Sequence, residues 1–380
     1  MKKIVTIGEL GIIITGNTPP RSNPKLYGNY TPFIKATDIS ETEKYTYHPE
    51  EYYSEEGYNK YIKSLIPKGP TYVVTIGSIG KKMTMAHCDL FINQAMNAII
   101  PNENFDNEYV YYAVKNILPN IKMLDSGTAS GRENVSKSAF SKMQILIEDN
   151  IITQRRIAEI LSRYDSLIEN YQKQIKLLEE SAQRLYKEWF VDLRFPGHEN
   201  TKIVDGVPEG WKKMCLKEVS HILTGKKDAN FGDVGGEYLF FTCAKEPIRA
   251  SSYSFDCDAV ILAGNGDFNV KLYRGKFEAY QRTYVFSPFN SINLFLLFYS
   301  VNNSMQQLFM GASGSTIKFL TKQMLEQISI LSPSSKIATQ FYEVCDRNQK
   351  KVEILKRQID ILIEARDRLL PKLMNGEIEV

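Results

Sequence analysis

Side chains that commonly perform catalysis or bind metals are dispersed in this sequence. Its histidines and cysteines are His48, His87, His198 and His221, and Cys88, Cys215, Cys243, Cys257 and Cys345. None of the cysteines forms a C-x-x-C pair, and isolated cysteines in odd number are typical of free thiols in a reducing compartment. The neighbours His87 and Cys88 make a poor zinc site, because adjacent side chains rarely reach one tetrahedral centre. The sequence therefore predicts no metal centre.

Motifs of known enzyme classes are incomplete or missing. Residues 11–18 resemble a phosphate-binding loop, but Asn17 stands where the essential lysine belongs. An amino-methyltransferase needs an Asn-Pro-Pro-aromatic motif, and neither residues 17–21 nor residues 287–289 fit it. Residues 264–266 contain two glycines but lead into no helical pattern, so they make a poor cofactor loop. These observations indicate a binding protein and not a catalyst.

Composition is that of an ordinary globular protein, with 43% hydrophobic and 24% charged residues. No apolar run approaches the ~20 residues that span a bilayer, and the first residues lack a signal-peptide pattern. We therefore expect a cytoplasmic protein without membrane contact. The net charge is +3, and no segment is strongly basic, so charge alone does not indicate nucleic-acid binding.

A helical pattern that begins at Ile157 recurs from Phe341. Apolar residues follow one another at spacings of three or four, which predicts a long helix with one narrow apolar seam. The seam residues are Ile157, Ile160, Tyr164, Ile168, Tyr171, Ile175, Leu178, Leu185 and Trp189, and Phe341, Val344, Val352, Leu355, Ile359, Leu362, Leu369 and Leu373. Asn348 and Arg366 interrupt the second seam and could set its register. We expect the helices to pair as an antiparallel coiled coil, either joining two domains or acting as a spacer of defined length.

Globular blocks alternate with these helices. The predicted segments are a first block at 1–150, a helix at 151–196, a linker at 197–210, a second block at 211–333, and a helix with its tail at 334–380. Phe195-Pro196-Gly197 is expected to stop the first helix, and Pro371 is expected to end or kink the second. Short β-type runs bounded by Gly, Pro or Asn predict an α+β fold with two mixed, strand-rich domains and an internal pseudo-two-fold repeat.

The two blocks align at three anchors. The paired segments are 7–16 with 216–225, 92–94 with 279–281, and 127–147 with 310–330. Changing offsets between the anchors place an extra segment early in the first block. In or near that segment lies a cluster of tyrosines, which could lie on DNA or pack a long loop, and we favour packing: Tyr45, Tyr47, Tyr52, Tyr53, Tyr58 and Tyr61.

Four motifs occur in a fixed order along the chain. They are KEWFVDLRFPG at 187–197, VPEGW at 207–211, GASGSTI at 311–317 and LLPKLMNGEI at 369–378. With these motifs and its two-fold repetition, the chain resembles over its whole length the specificity (S) subunit of type I DNA restriction–modification enzymes. In that family the first two motifs mark the exit of a central conserved helix and the entry to a second recognition domain.

The resemblance implies a division of labour. Each globular block would be a target recognition domain that reads one half of a split double-stranded DNA sequence. The helices would set the gap between the halves and hold two modification (M) subunits, which bind S-adenosylmethionine and methylate adenine. Restriction (R) subunits, where present, would add translocation and cleavage driven by ATP and Mg²⁺. This chain would carry no catalytic residue and no cofactor.

Polar and basic residues near the anchors are then the candidates for DNA contact. Arg and Lys suit guanine edges and phosphates, whereas Asn and Gln suit adenine. In the first block we select Arg21, Lys35, Thr37, Lys81, Lys82, Gln94, Arg132 and Lys137. In the second block we select Lys226, Lys227, Lys245, Lys271, Arg274, Gln281, Arg282 and Lys318.

Two other functions remain open at this point. A coiled-coil scaffold that assembles proteins without reading DNA would also account for the near-neutral charge. A self-contained nuclease or methyltransferase with a divergent site is the more remote alternative. The methylated DNA motif of cells that express the chain with its M subunit distinguishes the first alternative from DNA recognition.

Overall fold

The computed structural model describes residues 2–126, 133–266, 268–312 and 318–380. The chain divides into two compact units. The first unit contains Met1–Lys173 and Lys356–Val380, and the second contains Gln174–Leu355. Each unit therefore combines one strand-rich globular part with part of both long helices. The mixed helix and strand composition and the two long helices agree with the predicted fold class.

The first unit builds its globular part from short strands. In chain order its elements are β1 (Lys2–Thr6), α1 (Ile7–Leu10), β2 (Gly11–Thr15), β3 (Tyr27–Ile34), β4 (Glu51–Tyr53), α2 (Glu55–Tyr61), β5 (Thr71–Val74), β6 (Met83–Met85), β7 (Phe91–Ile92), β8 (Met96–Pro101), α3 (Asn107–Ile117), α4 (Lys137–Lys142), β9 (Gln144–Glu148) and the first part of α5 (Ile151–Tyr186). The sheets have the orders β2-β8-β5-β6, β4-β3-β7 and β1-β9. A core that includes Val110, Phe140 and Ile147 joins α3, α4 and β9.

The second unit contains a six-stranded sheet of order β13-β18-β16-β17-β14-β15. In chain order its elements after α5 are β10 (Ile203–Val204), β11 (Val207–Pro208), β12 (Lys212–Cys215), α6 (Leu216–Val219), β13 (Ser220–Thr224), β14 (Tyr238–Phe241), β15 (Ile248–Ala250), β16 (Phe255–Ala263), β17 (Val270–Ala279), β18 (Thr283–Pro288), α7 (Leu294–Asn303), α8 (Met305–Gly311), α9 (Lys322–Glu326), β19 (Ser329–Ser332) and α10 (Ser335–Asn375). The predicted linker thus contains the small hairpin β10-β11.

Strand pairing repeats between the two units, element by element. Strands β2, β8 and β5 pair as β13, β18 and β16 do, and β3 with β4 pairs as β14 with β15 does. Each unit also contains one parallel strand pair, β3 with β7 in the first unit and β14 with β17 in the second. The long strand β17 replaces both β6 and β7, and Gly275 within it has a φ of +107°. This shared connectivity confirms the internal repeat.

One segment of the first unit has no counterpart in the second. Helix α2 and a 3-10 turn at Ile62–Ser64 lie between β4 and β5, whereas only residues 251–254 connect β15 to β16. The segment packs through aromatic rings, because Tyr53 stacks on Phe91 with 4.3 Å between ring centroids and Tyr58 and Tyr61 join the same cluster. The packing expected for the tyrosines is therefore confirmed at these three. We call residues 55–64 the insertion.

The long helices pair antiparallel within each unit. In the first unit Ile157 and Leu161 share a core with Leu370 and Leu373. The second unit shows the same direction, because the ring of Phe190 contacts that of Phe341 and both helices contribute to one core: Ala182, Tyr186, Phe190, Ile337, Phe341 and Cys345. Residue numbers rise along one helix as they fall along the other, so a coiled-coil-like seam forms in each unit.

Three expectations about these helices need correction. Helix α5 ends at Tyr186 and continues as a wider π-helical turn at Lys187–Val191, before the predicted stop. Helix α10 runs through Pro371 to Asn375, because a proline in the last turns removes one hydrogen bond while its neighbours Leu370 and Leu373 stay buried. Val344 lies exposed, and the buried Cys345 occupies the seam in its place. The other predicted seam residues are buried or half-buried.

Candidate nucleic-acid interface

Two loops of the first unit are held together by backbone contacts. The amide of Gly16 donates to the carbonyl of Met96 (3.1 Å), and that of Asn17 donates to Ile92 (3.0 Å). A Cβ atom on Gly16 would lie 2.2 Å from the Ile92 oxygen, so only glycine permits this close approach. The loop after β2 is thereby fixed against the residues that precede β8, where Gln94 lies.

The second unit repeats this arrangement. Gly225 donates to the carbonyl of Thr283 (3.1 Å), and a Cβ atom there would lie 2.1 Å from the oxygen of Ala279. The amide of Gln281 donates to the carbonyl of Lys227 (2.9 Å). The first two sequence anchors therefore meet in space in each unit, and each meeting point presents one glutamine.

Both glutamines are exposed and both are oriented by a neighbour. The Thr18 hydroxyl donates to Gln94 Oε1, and Gln281 Nε2 donates to Asp228 Oδ1 (2.8 Å). An oriented amide offers one donor and one acceptor, which matches the major-groove edge of adenine. We call residues 16–18 with 92–96 in the first unit, and residues 225–228 with 279–283 in the second unit, the glutamine loops. Their role in base contact stays a prediction.

A glycine turn lies beside each glutamine loop. Gly77 donates to the carbonyl of Glu133 (3.0 Å), and Gly266 donates to that of Lys318 (3.2 Å). Both glycines have positive φ angles, +90° and +69°. Sequence analysis missed this equivalence, although a glycine follows a β-type run at both places. The predicted contact Arg132 lies outside the described residues, as do residues 313–317 of the GASGSTI motif.

Basic side chains accumulate around the glutamine loop of the second unit. Lys271 Nζ donates to the carbonyl of Ala244 (2.8 Å), and burial lowers its pKa. Lys318 Nζ lies 3.9 Å from the ring centroid of Phe309. The ammonium of Lys227 lies 4.3 Å from the ring of Phe231. Three further predicted residues are exposed in the same loops: Lys226, Lys245 and Arg282.

Arg274 is the predicted contact that the structure removes from this group. Its Nη1 lies 2.6 Å from Asp346 Oδ1, and its guanidinium stacks 5.1 Å from the centroid of Phe295. The side chain is 22% exposed. Ion pairing with Asp346 raises the pKa of Arg274 against the opposing effect of burial. Arg274 therefore joins β17 to α10, and a DNA contact would have to break this ion pair.

Two predicted contacts of the first unit have acidic partners. Arg21 Nη2 lies 2.9 Å from Glu51 Oε1, and the hydrogen bond to Glu51 raises the pKa of Arg21. Lys35 Nζ lies 2.5 Å from Glu50 and 3.6 Å from Glu51. These carboxylates weaken the attraction of both cations for phosphate, so a DNA contact would have to displace them.

Four further predicted residues of the first unit are exposed or half-buried. Thr37, Lys81 and Lys137 are exposed, and Lys82 Nζ lies 3.4 Å from the carbonyl of Ala36. Within the described ranges, no three or more His, Cys, Asp and Glu side chains are grouped to hold a metal ion. No helix in the part of the chain that the structure describes could cross a membrane.

Comparison with known proteins identifies the family. A family model described as "Type I restriction modification DNA specificity domain" matches residues 2–180 and 208–370. The specificity subunit of the type I restriction enzyme MjaIX from Methanocaldococcus jannaschii is 25% identical over the whole of this chain and 93% of its own length. The specificity subunit of EcoDI from Escherichia coli is 39% identical, but over 45% of this chain and 39% of its own length.

A solved structure shows the same fold. The crystal structure of a type I restriction-modification system S subunit from M. genitalium superposes with a TM-score of 0.61 at 16% identity, covering 98% of this chain and 96% of that one. The same family model matches this chain twice, which agrees with the repeated strand connectivity of the two units. The chain therefore belongs to the type I restriction modification DNA specificity domain family.

Proposed function

We propose that this chain is the DNA-recognition subunit of a type I restriction–modification complex and that each unit reads one half of a bipartite target. The observation that carries the proposal is the equivalence of the two glutamine loops, each built on a glycine whose amide donates to the first residue of the strand that follows the glutamine. Two similar loop clusters with different side chains are suited to read two different base sequences. Base-edge contacts specify sequence, while the neighbouring lysines position the phosphate backbone.

The proposal assigns a second task to the paired helices. Helices α5 and α10 would set the distance between the two half-sites. At 1.5 Å per residue the 36 residues of α5 measure about 54 Å. They would also hold two M subunits, which supply S-adenosylmethionine-dependent adenine methylation. Restriction subunits would supply ATP- and Mg²⁺-dependent cleavage, so catalysis would take place outside this chain and in the cytoplasm.

The scaffold alternative has less support. Relatives with matching sequence are named as specificity subunits, and none of those reported above is named as an assembly scaffold. The basic glutamine loop of the second unit is also a feature that a DNA-free scaffold does not need.

Methylome sequencing tests the proposal directly. Cells that express the chain with its M subunit should show one split, adenine-methylated motif. Gln94→Ala should relax or change bases in one half of that motif only, and Gln281→Ala should affect only the other half, because each bidentate base contact contributes about 1–3 kcal/mol of discrimination. Each variant serves as the control for the other. Absence of any motif beside an active M subunit would refute DNA recognition.

A further inference from the structure

A groove in the first unit is bordered by the insertion and by β2, an edge strand of its sheet. Its lining residues are Ile13, Ile14, Thr15, Asn17, Lys60, Tyr61, Lys63, Ser64 and Lys137. The apolar floor comes from β2, and the rim is polar. Of these residues only Lys137 was expected from sequence to contact DNA, while Lys60 and Lys63 belong to the segment that the second unit lacks.

The charge of this groove has one sign. Among the described residues that line it, three are lysines and none is acidic. This differs from Arg21 and Lys35 of the same unit, which have Glu50 and Glu51 as partners. Three ammonium groups on one surface attract a chain of negative charges.

Hydrogen bonds connect the groove to the glutamine loop. Asn17 Nδ2 donates to Ser64 Oγ (2.7 Å), and the Tyr53 hydroxyl donates to Asn17 Oδ1 (3.0 Å). Asn17 precedes Thr18, whose hydroxyl donates to Gln94. Two hydrogen bonds and the peptide bond between Asn17 and Thr18 therefore link Ser64 of the insertion to Gln94, the residue that we assign to base reading.

We propose that the groove lined by Lys60, Lys63 and Lys137 binds the phosphodiester backbone of the DNA beside the half-site read by the first unit. This inference rests on the proposed function and extends it. Because the insertion is absent from the second unit, the protein protects more phosphates on one half-site than on the other. The contacts contribute affinity that does not depend on base sequence.

The salt dependence of DNA binding gives a direct measure of these contacts. The triple variant Lys60→Gln, Lys63→Gln, Lys137→Gln is assembled with the M subunit, and its affinity for target DNA and for unrelated DNA is measured over a series of salt concentrations. Each phosphate contact contributes about 0.9 to the slope of log K against log salt. We expect the slope to fall by about two to three and the affinity for both DNAs to fall together, with the methylated motif unchanged.

Two control variants make the result specific. Lys142→Gln removes an exposed lysine from the same short helix as Lys137 but outside the groove, and it should leave the slope unchanged. Replacing the three groove lysines by arginine keeps the charge, and it should restore the slope. Ethylation-interference mapping should show fewer essential phosphates for the glutamine variant on one half-site only.

Three outcomes would count against the inference. A wild-type slope in the glutamine variant, with normal DNA binding by the wild type, overturns the groove assignment and leaves the proposed function intact. Loss of M-subunit association without a change in slope would show that the groove binds an acidic protein surface instead. Absence of DNA binding by the wild-type complex would refute the proposed function itself, and the groove assignment would fall with it.

Discussion

Replacing Arg366 by methionine removes a charge from the helix pair of the first unit. Arg366 lies in α10, and its Nη1 is 2.5 Å from Asp165 Oδ1 in α5. The two side chains are only 4% and 6% exposed. Asp165 also accepts a hydrogen bond from the Tyr112 hydroxyl of α3 (2.5 Å), and burial together with the Asp165 carboxylate raises the pKa of Tyr112. The ion pair thus connects both long helices with the globular part of that unit.

The expected cost of Arg366→Met follows from burial. Removing one partner of a buried ion pair leaves an uncompensated charge and lowers the free energy of unfolding by about 3–5 kcal/mol. Asp165 keeps its hydrogen bond from Tyr112, so we expect a loss near the lower end, about 3 kcal/mol in the free energy of unfolding. The double variant Arg366→Met, Asp165→Asn removes both members of the ion pair and should recover about half of that loss or more.

Urea unfolding followed by circular dichroism measures these differences. Arg368→Met is the matched control, because Arg368 pairs with Glu364 at 2.7 Å on the exposed side of the same helix. Exposed pairs of this type contribute about 0.5 kcal/mol or less. If Arg366→Met destabilises the protein no more than Arg368→Met does, the buried pair does not hold the helices together and our reasoning is wrong.

Three further predictions concern the core, a loop and the helices. Burial lowers the pKa of Lys115 from 10.5 to about 8. Between pH 8 and 10.5 the unfolded chain therefore binds more protons than the folded protein, so the free energy of unfolding should rise with pH in that window. Lys115→Met should abolish this rise and stabilise the protein at pH 7 by up to ~3 kcal/mol, as measured by urea titration at several pH values. Gly225→Ala should lower the melting temperature more than Gly235→Ala, because its Cβ would lie 2.1 Å from a carbonyl oxygen while that of Gly235 meets only the Asp233 side chain at 3.7 Å; equal melting temperatures would contradict the close approach. One heptad inserted into both α5 and α10 should widen the gap in the methylated motif by about three base pairs, since seven helical residues add about 10 Å, and an unchanged gap would exclude the spacer role.

Local patterns in the sequence were sufficient for the repeat. The three-four spacing of apolar residues located both long helices, because helical periodicity is a property of neighbouring residues. The equivalence of Gly16 and Gly225 could also be predicted from the sequence. At both positions a neighbouring backbone lies so close that it excludes a Cβ atom, so glycine occurs in both copies. Two of the four motifs that carry the family resemblance, residues 187–197 and 369–378, lie at the ends of these same helices.

Pairings between distant residues were decided only in the tertiary structure. Arg366 was expected to interrupt the seam, but its partner Asp165 lies outside the predicted seam positions and could not be chosen from periodicity. Arg274 was selected as a DNA contact because it is a basic residue in the second block. In the structure it forms an ion pair with Asp346, which lies far along the chain.

The groove beside the insertion could not be predicted from the sequence either. Lys60 and Lys63 occur in a stretch that the sequence marks only as extra and rich in tyrosine. Packing of Tyr53 on Phe91 and the hydrogen bond between Asn17 and Ser64 place those lysines beside Lys137. The sequence by itself determined the two long helices and the internal repeat, because those depend on local periodicity. Which charges are paired and which face a common groove depends on contacts between residues far apart in the chain, and only the folded structure decides them.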